Sequence, residues 1–220
     1  DPTVPMRDSG VEWIGKIPAH WEVKRVKDIC SYVSGDTPDT KNASYYSSSS
    51  EKGYPWLTIG DLGSRYVSEA KNYISLDGVK SKNMVLQEKG TLLMSFKLSV
   101  GLTSITDIAC YTNEAIAAFK GLNTQYWYYC IGLFCKKNAK ENIYGAPLLN
   151  KSLILNALLV EPSQEEQQAI AAYLDERTTL IDQSIDTVQK EIEALQELRK
   201  SLIHEAVTGK LDVADFGYTY

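Results

Sequence analysis

Nowhere in the 220 residues does an apolar run approach the ~20 that a membrane span requires. Residues 1–20, DPTVPMRDSGVEWIGKIPAH, also lack the apolar centre of a secretory signal. The cytoplasm is therefore the expected location, with no membrane partner. Histidine is nearly absent: His20 and His204 are the only two. The four cysteines, Cys30, Cys110, Cys130 and Cys135, offer no second pair at zinc spacing, so no metal is expected and the thiols read as free and buried. A Walker-type phosphate loop, a dinucleotide-binding G-x-G-x-x-G and a G-x-S-x-G elbow are all missing. Two histidines so far apart make a nucleophile–base pair hard to assemble. Asp61, Glu69 and Asp77 are the nearest thing to a Mg²⁺ cluster, but carboxylates at this density are usually solvated surface. No catalytic residue and no cofactor are assigned to this chain.

What is present suits a real core. Apolar residues make up 44% of the chain, with four Trp and fourteen Tyr, and the length accommodates one compact domain plus an extension, or two small domains. The net charge of −5 divides unevenly. Residues 1–160 carry 18 Lys and Arg against 15 Asp and Glu, or +3, whereas residues 161–220 carry 5 against 13, or −8. A phosphate backbone would be drawn to the first segment and repelled by the second, although +3 over so long a stretch is also ordinary.

The acidic segment announces a helix. Ser163 followed by Glu166 forms a capping box after Pro162, and no Pro or Gly intervenes before Gly209, which would end the helix. A break at Arg177-Thr178-Thr179 is conceivable, because short or β-branched polar residues propagate helix less well. Heptad positions placed on residues 174, 178, 181, 185, 188, 192, 195, 199, 202 and 206 are apolar except at Thr178 and Arg199. Leu174, Ile181, Ile185, Val188, Ile192, Leu195 and Leu202 thus make a coiled-coil seam. Such a seam calls for a partner helix from another copy or another chain; the competing reading lays it on its own domain.

Residues 1–160 show no such repeat. WLTIGDL (56–62), TLLMSF (91–96), LTSITDIACY (102–111) and AIAAFK (115–120) read as strands. NTQYWYYCIGLFCKKN (123–138) reads as a helix with Trp127, Ile131 and Phe134 on one face, and residues 37–53 as a flexible loop. The fold class is α+β: a mixed α/β body followed by a long coiled-coil-forming helix. Several short stretches combine cations, amides and aromatics, the groups that contact phosphates, base edges and sugars. They supply the candidate nucleic-acid contacts Lys41, Asn42, Tyr45, Tyr46, Arg65, Tyr66, Lys80, Lys82, Asn83, Lys97, Ser99, Asn142 and Tyr144. Tyr and Lys in loops are common without any such role.

Seven stretches carry a resemblance from end to end: DSGVEWIGKIPAHWEVKRVKDI (8–29), SGDTP (34–38), PWLTIGDL (55–62), KGTLLMSFKLSVG (89–101), TNEAIAA (112–118), GAPLLNKSLILNALLVEPSQEEQQAIAAYLDERTTLID (145–182) and LRKSLIHEAVTGKLD (198–212). Taken together they resemble the specificity (S) subunits of Type I restriction-modification systems. The resemblance implies a non-catalytic DNA-binding module: a linker at 1–7, a target recognition domain at 8–160, a conserved helical region at 161–209 and a tail at 210–220. It further implies double-stranded DNA, methyltransferase (M) subunits and restriction (R) subunits as partners, with S-adenosylmethionine held by the methyltransferase. Family members carry two recognition domains and two helical regions, and this chain has one of each. Asp1-Pro2-Thr3-Val4-Pro5-Met6 looks like the junction after a first helical region, so either the second half of a longer subunit or a natural half-subunit is expected. Self-pairing through the helix would then face a palindromic split site. Base-contacting residues do not carry over, and Trp56, Gly60 and Asp61 look like framework. The rival function is a coiled-coil protein–protein adaptor that binds no DNA.

Overall fold

A computed structural model describes residues 4–141 and 145–211. The chain parts into two compact units between Ala171 and Ala172. Its helices are α1 (Val26–Ile29), α2 (Leu76–Ser81), α3 (Thr124–Lys137), α4 (Lys151–Leu155) and α5 (Gln164–Val207).

The first unit is built on a five-stranded sheet in the order Ser31–Ser34, Ile116–Lys120, Leu92–Ser95, Thr103–Thr106 and Tyr66–Val67; the last pair is parallel and the others antiparallel. Its two central strands read as unbroken apolar runs because both faces are covered. The period of two sorts their side chains. Leu92, Met94, Ala117 and Phe119 enter one core with Trp127, Ile131 and Cys135 of α3, while Leu93, Ile116 and Ala118 enter another with Leu57, Leu62, Val67 and Cys110. Cross-strand partners Ala117–Met94, Phe119–Leu92 and Ala118–Leu93 match this division.

Helix α3 lies very close to the connection that leads from Leu92–Ser95 into Thr103–Thr106. A Cβ at Gly132 would come within 2.1 Å of the Gly101 carbonyl oxygen, and Gly101 itself sits at φ +87. Both positions need glycine, the second for its left-handed backbone as well.

A four-stranded sheet runs in the order Tyr111–Thr112, Tyr54–Leu57, Asn72–Ile74 and Tyr46–Ser47, with Trp56, Ile74, Val79 and Tyr111 forming a third core. Here the structure revises three expectations. The WLTIGDL strand stops at Leu57, since the Asp61 carboxylate accepts from the Thr58 N–H and hydroxyl, each at 2.8 Å, and winds residues 59–61 into a 3₁₀ turn. LTSITDIACY is two strands in different sheets, because the Thr106 hydroxyl bonds the Ile108 carbonyl at 2.5 Å and turns the chain. Residues 37–53 include a 3₁₀ turn, Ala43–Tyr45, and the strand Tyr46–Ser47, whose pairing with Asn72–Ile74 overrides the Ser-rich composition.

Helix α5 begins where the capping box placed it. Ser163 Oγ accepts from the Glu166 N–H at 3.3 Å, and Glu166 Oε2 accepts from the Ser163 N–H at 3.1 Å. The other Glu166 oxygen is 2.8 Å from His20 Nε2 and accepts from Trp21 Nε1 at 3.1 Å, tying the first turn to a distant segment. Burial opposes ionisation of this carboxyl, but the hydrogen bonds from Trp21, His20 and Ser163 prevail and hold its pKa down at about 2. The helix passes through Thr178 without a break: its hydroxyl bonds back to the Leu174 carbonyl at 2.8 Å, giving the polar group a partner inside the helix. Beyond Val207 the chain turns at Gly209, φ +69.

Candidate functional site

The candidate contacts fall into groups with different degrees of commitment within the chain. Asn42 is already occupied, its side-chain oxygen accepting from the Ser44 N–H at 3.1 Å and from the Ser44 hydroxyl at 2.7 Å. Tyr46 donates its hydroxyl to the Pro38 carbonyl at 2.8 Å and meets Trp56 edge-on, which fixes it within the third core. Tyr45 is half-buried in the 3₁₀ turn and its carbonyl accepts from the Ser75 N–H at 2.9 Å. Lys41 and Lys80 are exposed.

A second group gathers around the SGDTP stretch. Lys82 lies 3.8 Å from Asp36, the Thr37 hydroxyl donates to the Glu114 carboxylate, and Lys97 lies 3.6 Å from Glu114. Two of the candidate cations therefore already face carboxylates. Glu114 is held below the usual carboxylate range, first by the Thr37 hydroxyl and then by Lys97, against the opposing effect of burial. Asn83 ends α2 in the left-handed region at φ 49. Ser99 belongs to the tight connection between Leu92–Ser95 and Thr103–Thr106, where its carbonyl accepts from the Ser95 hydroxyl. Asn142 and Tyr144 lie outside the described residues.

Arg65 and Tyr66 belong to a third group that could not be assembled from sequence. The Arg65 guanidinium stands 5.5, 5.3 and 5.4 Å from the ring centroids of Tyr66, Tyr128 and Tyr129. It donates to the Tyr129 hydroxyl at 3.1 Å and to Gln125 Oε1 at 2.5 Å. The Tyr66 hydroxyl lies 3.1 Å from that same oxygen. Gln125, Tyr128 and Tyr129 share one face of α3 through spacings of three and four residues. Their helical register was readable, but their meeting with Arg65 was not.

On α5 the seam residues Ile181, Ile185, Val188, Ile192, Leu195 and Leu202 are 43–64% exposed, while Leu174 is half-buried. Leu180, Ile181, Ser184, Ile185, Val188 and Gln189 line a shallow apolar groove along the helix. Leu198 and Ile203, which flank the seam in the heptad, are exposed too, so the apolar face widens towards the C-terminal end. The heptad pattern alone did not single out these two residues.

Among the described residues there is no group of three or more His, Cys, Asp or Glu placed to hold a metal ion, and no helix long and apolar enough to cross a membrane. The four cysteines are free, and burial pushes Cys30 and Cys130 up to about 12 and Cys110 to about 11. They carry no nucleophilic thiolate at neutral pH.

Comparison with known proteins bears on this arrangement. A family model described as "Type I restriction modification DNA specificity domain" matches residues 18–196. The MjaIX Type I restriction enzyme specificity subunit of Methanocaldococcus jannaschii is 30% identical over 198 residues, covering 86% of this chain and 44% of that protein. In three dimensions the chain resembles one from a type I R-M system solved to explain complex assembly and conformational transition (TM-score 0.69, 22% identity, 91% of this chain and 48% of that one). It also resembles the HsdS subunit from Thermoanaerobacter tengcongensis (TM-score 0.62, 22% identity, 94% and 48%). The mixed α+β fold with a long C-terminal helix is thus that of these structures, and the chain spans about half the length of the relatives it matches.

Proposed function

Because this chain belongs to the Type I restriction-modification DNA specificity family, we propose that it is a sequence-reading module, in which the body at residues 8–160 recognises one half of a split DNA site. The helical region at 161–209 pairs with a second such helix, from another copy or from the other half of a longer subunit, and docks methyltransferase subunits. Residues 1–7 serve as a linker and 210–220 as a tail. Catalysis is left to partners: the methyltransferase holds S-adenosylmethionine and extrudes the target adenine from the duplex, and restriction subunits join in the complete cytoplasmic enzyme.

The observation that carries this reading is the family match spanning both the body and most of α5. The exposed apolar stripe supports pairing, since a seam left in water has no other stabilising use. The charge division supports the placement of DNA: the +3 segment faces the polyanion and the −8 segment spaces and docks.

Binding measured against salt concentration tests the DNA contact. Each lysine that neutralises a phosphate contributes about 0.9 to the slope of log affinity on log salt. Replacing Lys41, Lys80, Lys82 and Lys97 by Gln should flatten that slope, with Lys41 and Lys80 dominating because Lys82 and Lys97 face Asp36 and Glu114. An unchanged slope removes these lysines from the interface. No shift on any duplex, with or without the methyltransferase subunit, would favour an adaptor that binds protein alone.

A further inference from the structure

Gln125 Oε1 receives two donors, Arg65 Nη2 at 2.5 Å and the Tyr66 hydroxyl at 3.1 Å. A guanidinium only donates, so the amide must turn its oxygen towards Arg65. An amide oxygen offers two lone pairs, and two donors use that capacity fully. The amide nitrogen, in contrast, has no hydrogen-bond partner among the described residues and is not a buried orphan. Gln125 thus presents donors and nothing else.

The parts around it are fixed. Three tyrosine rings surround the guanidinium, and Tyr129 accepts a further hydrogen bond from it. Tyr66 comes from the strand at the end of the five-stranded sheet and is 47% exposed, so the cluster reaches the surface. A half-buried polar network whose outer group is oriented and unspent is what selective hydrogen bonding requires.

We propose that Gln125 is a specificity-determining residue that donates to the acceptor-only edge of a guanine, with Arg65 and Tyr66 as positioning residues. Glutamine reads adenine by accepting from N6 while donating to N7, whereas guanine shows two acceptors, O6 and N7. The lone pairs adenine would need are already taken by Arg65 and Tyr66, so the cluster discriminates against adenine. The inference rests on the DNA-recognition reading above.

Selection from a randomised duplex library, with the full chain alone and with co-expressed methyltransferase subunit, tests it. The wild type should enrich a motif containing one guanine whose preference Gln125→Ala weakens by about 5- to 150-fold at that position alone. Tyr66→Phe keeps the ring over Arg65 but frees one lone pair on Gln125, and it should admit adenine at the same position. A purely structural tyrosine would not do this. Arg65→Lys keeps the charge without the planar fork and should follow Gln125→Ala. Melting temperatures of Gln125→Ala and Tyr66→Phe should stay near wild type, which separates specificity from folding. An unchanged motif and affinity in both variants would overturn this inference while the recognition reading stands. Uniform weakening on all sequences, with the motif intact, would also overturn it, since that marks a phosphate contact. A wild type that enriches no sequence under either condition would overturn both readings.

Discussion

The two units of this chain treat their apolar side chains in opposite ways. Before Ala172, Leu92, Met94, Ile116, Phe119, Trp127 and Ile131 are all buried to within 1% of full coverage. After it, a helix continuing to Val207 leaves Ile181, Ile185, Val188 and Leu195 more than half exposed. Burial in the body stabilises the body, whereas the same residue types on the helix stabilise nothing until another surface covers them. The body therefore buries its own apolar residues, and the helix leaves an apolar stripe uncovered.

Substitutions in the two places should separate accordingly. Trp127→Ala removes a ring that is 1% exposed and packed between Tyr126 and Phe134. It should cost about 3–5 kcal/mol by urea denaturation. Gly132→Ala, where the new Cβ meets backbone rather than a flexible side chain, should cost about 1–3 kcal/mol by the same measurement. Neither should alter helix pairing in any sample that remains folded. A variant that dissociates while still folded would blur the contrast. Moving towards the junction, Ser163→Ala deletes half of the capping box and should cost about 1 kcal/mol.

Glu166 gives the most conditional effect, because it depends on pH. Its folded pKa of about 2 lies below the ordinary 4.5, so the unfolded chain binds more protons between those values. Its stabilisation is fully present above the unfolded value and is lost as pH falls towards 2. The urea midpoint of the wild type should thus converge on that of Glu166→Gln with acidification. Parallel curves through that window would mean that the bonds to His20, Trp21 and Ser163 do not form in solution.

Much of the helix was legible in sequence, because caps, stop and heptad are local patterns. The capping box and Gly209 bracket α5 as the residues suggested, and only Thr178 behaved otherwise, its hydroxyl being absorbed by the helix. In the body, Leu92–Ser95, Ile116–Lys120 and α3 were readable for the same reason. Turns driven by single side chains, such as Asp61 capping Thr58, were hidden inside apolar runs. The candidate site was harder still. Residue chemistry picked Arg65 and Tyr66, but Gln125 lies 60 residues from Arg65, and only the packing of α3 against the sheet brings them together. Likewise nothing local in Lys82 or Lys97 announced Asp36 and Glu114 as their neighbours.

On the proposed reading, the exposed stripe of α5 is covered by a second such helix. Sedimentation equilibrium of the chain, beside a variant carrying Ile185→Asp and Ile192→Asp, measures this most directly. A two-copy mass for the parent, falling to one copy in the variant with body melting unchanged, is the result expected. A one-copy mass for both, at every concentration tested, would contradict pairing between copies and leave only a helix from the other half of a longer subunit to cover the stripe.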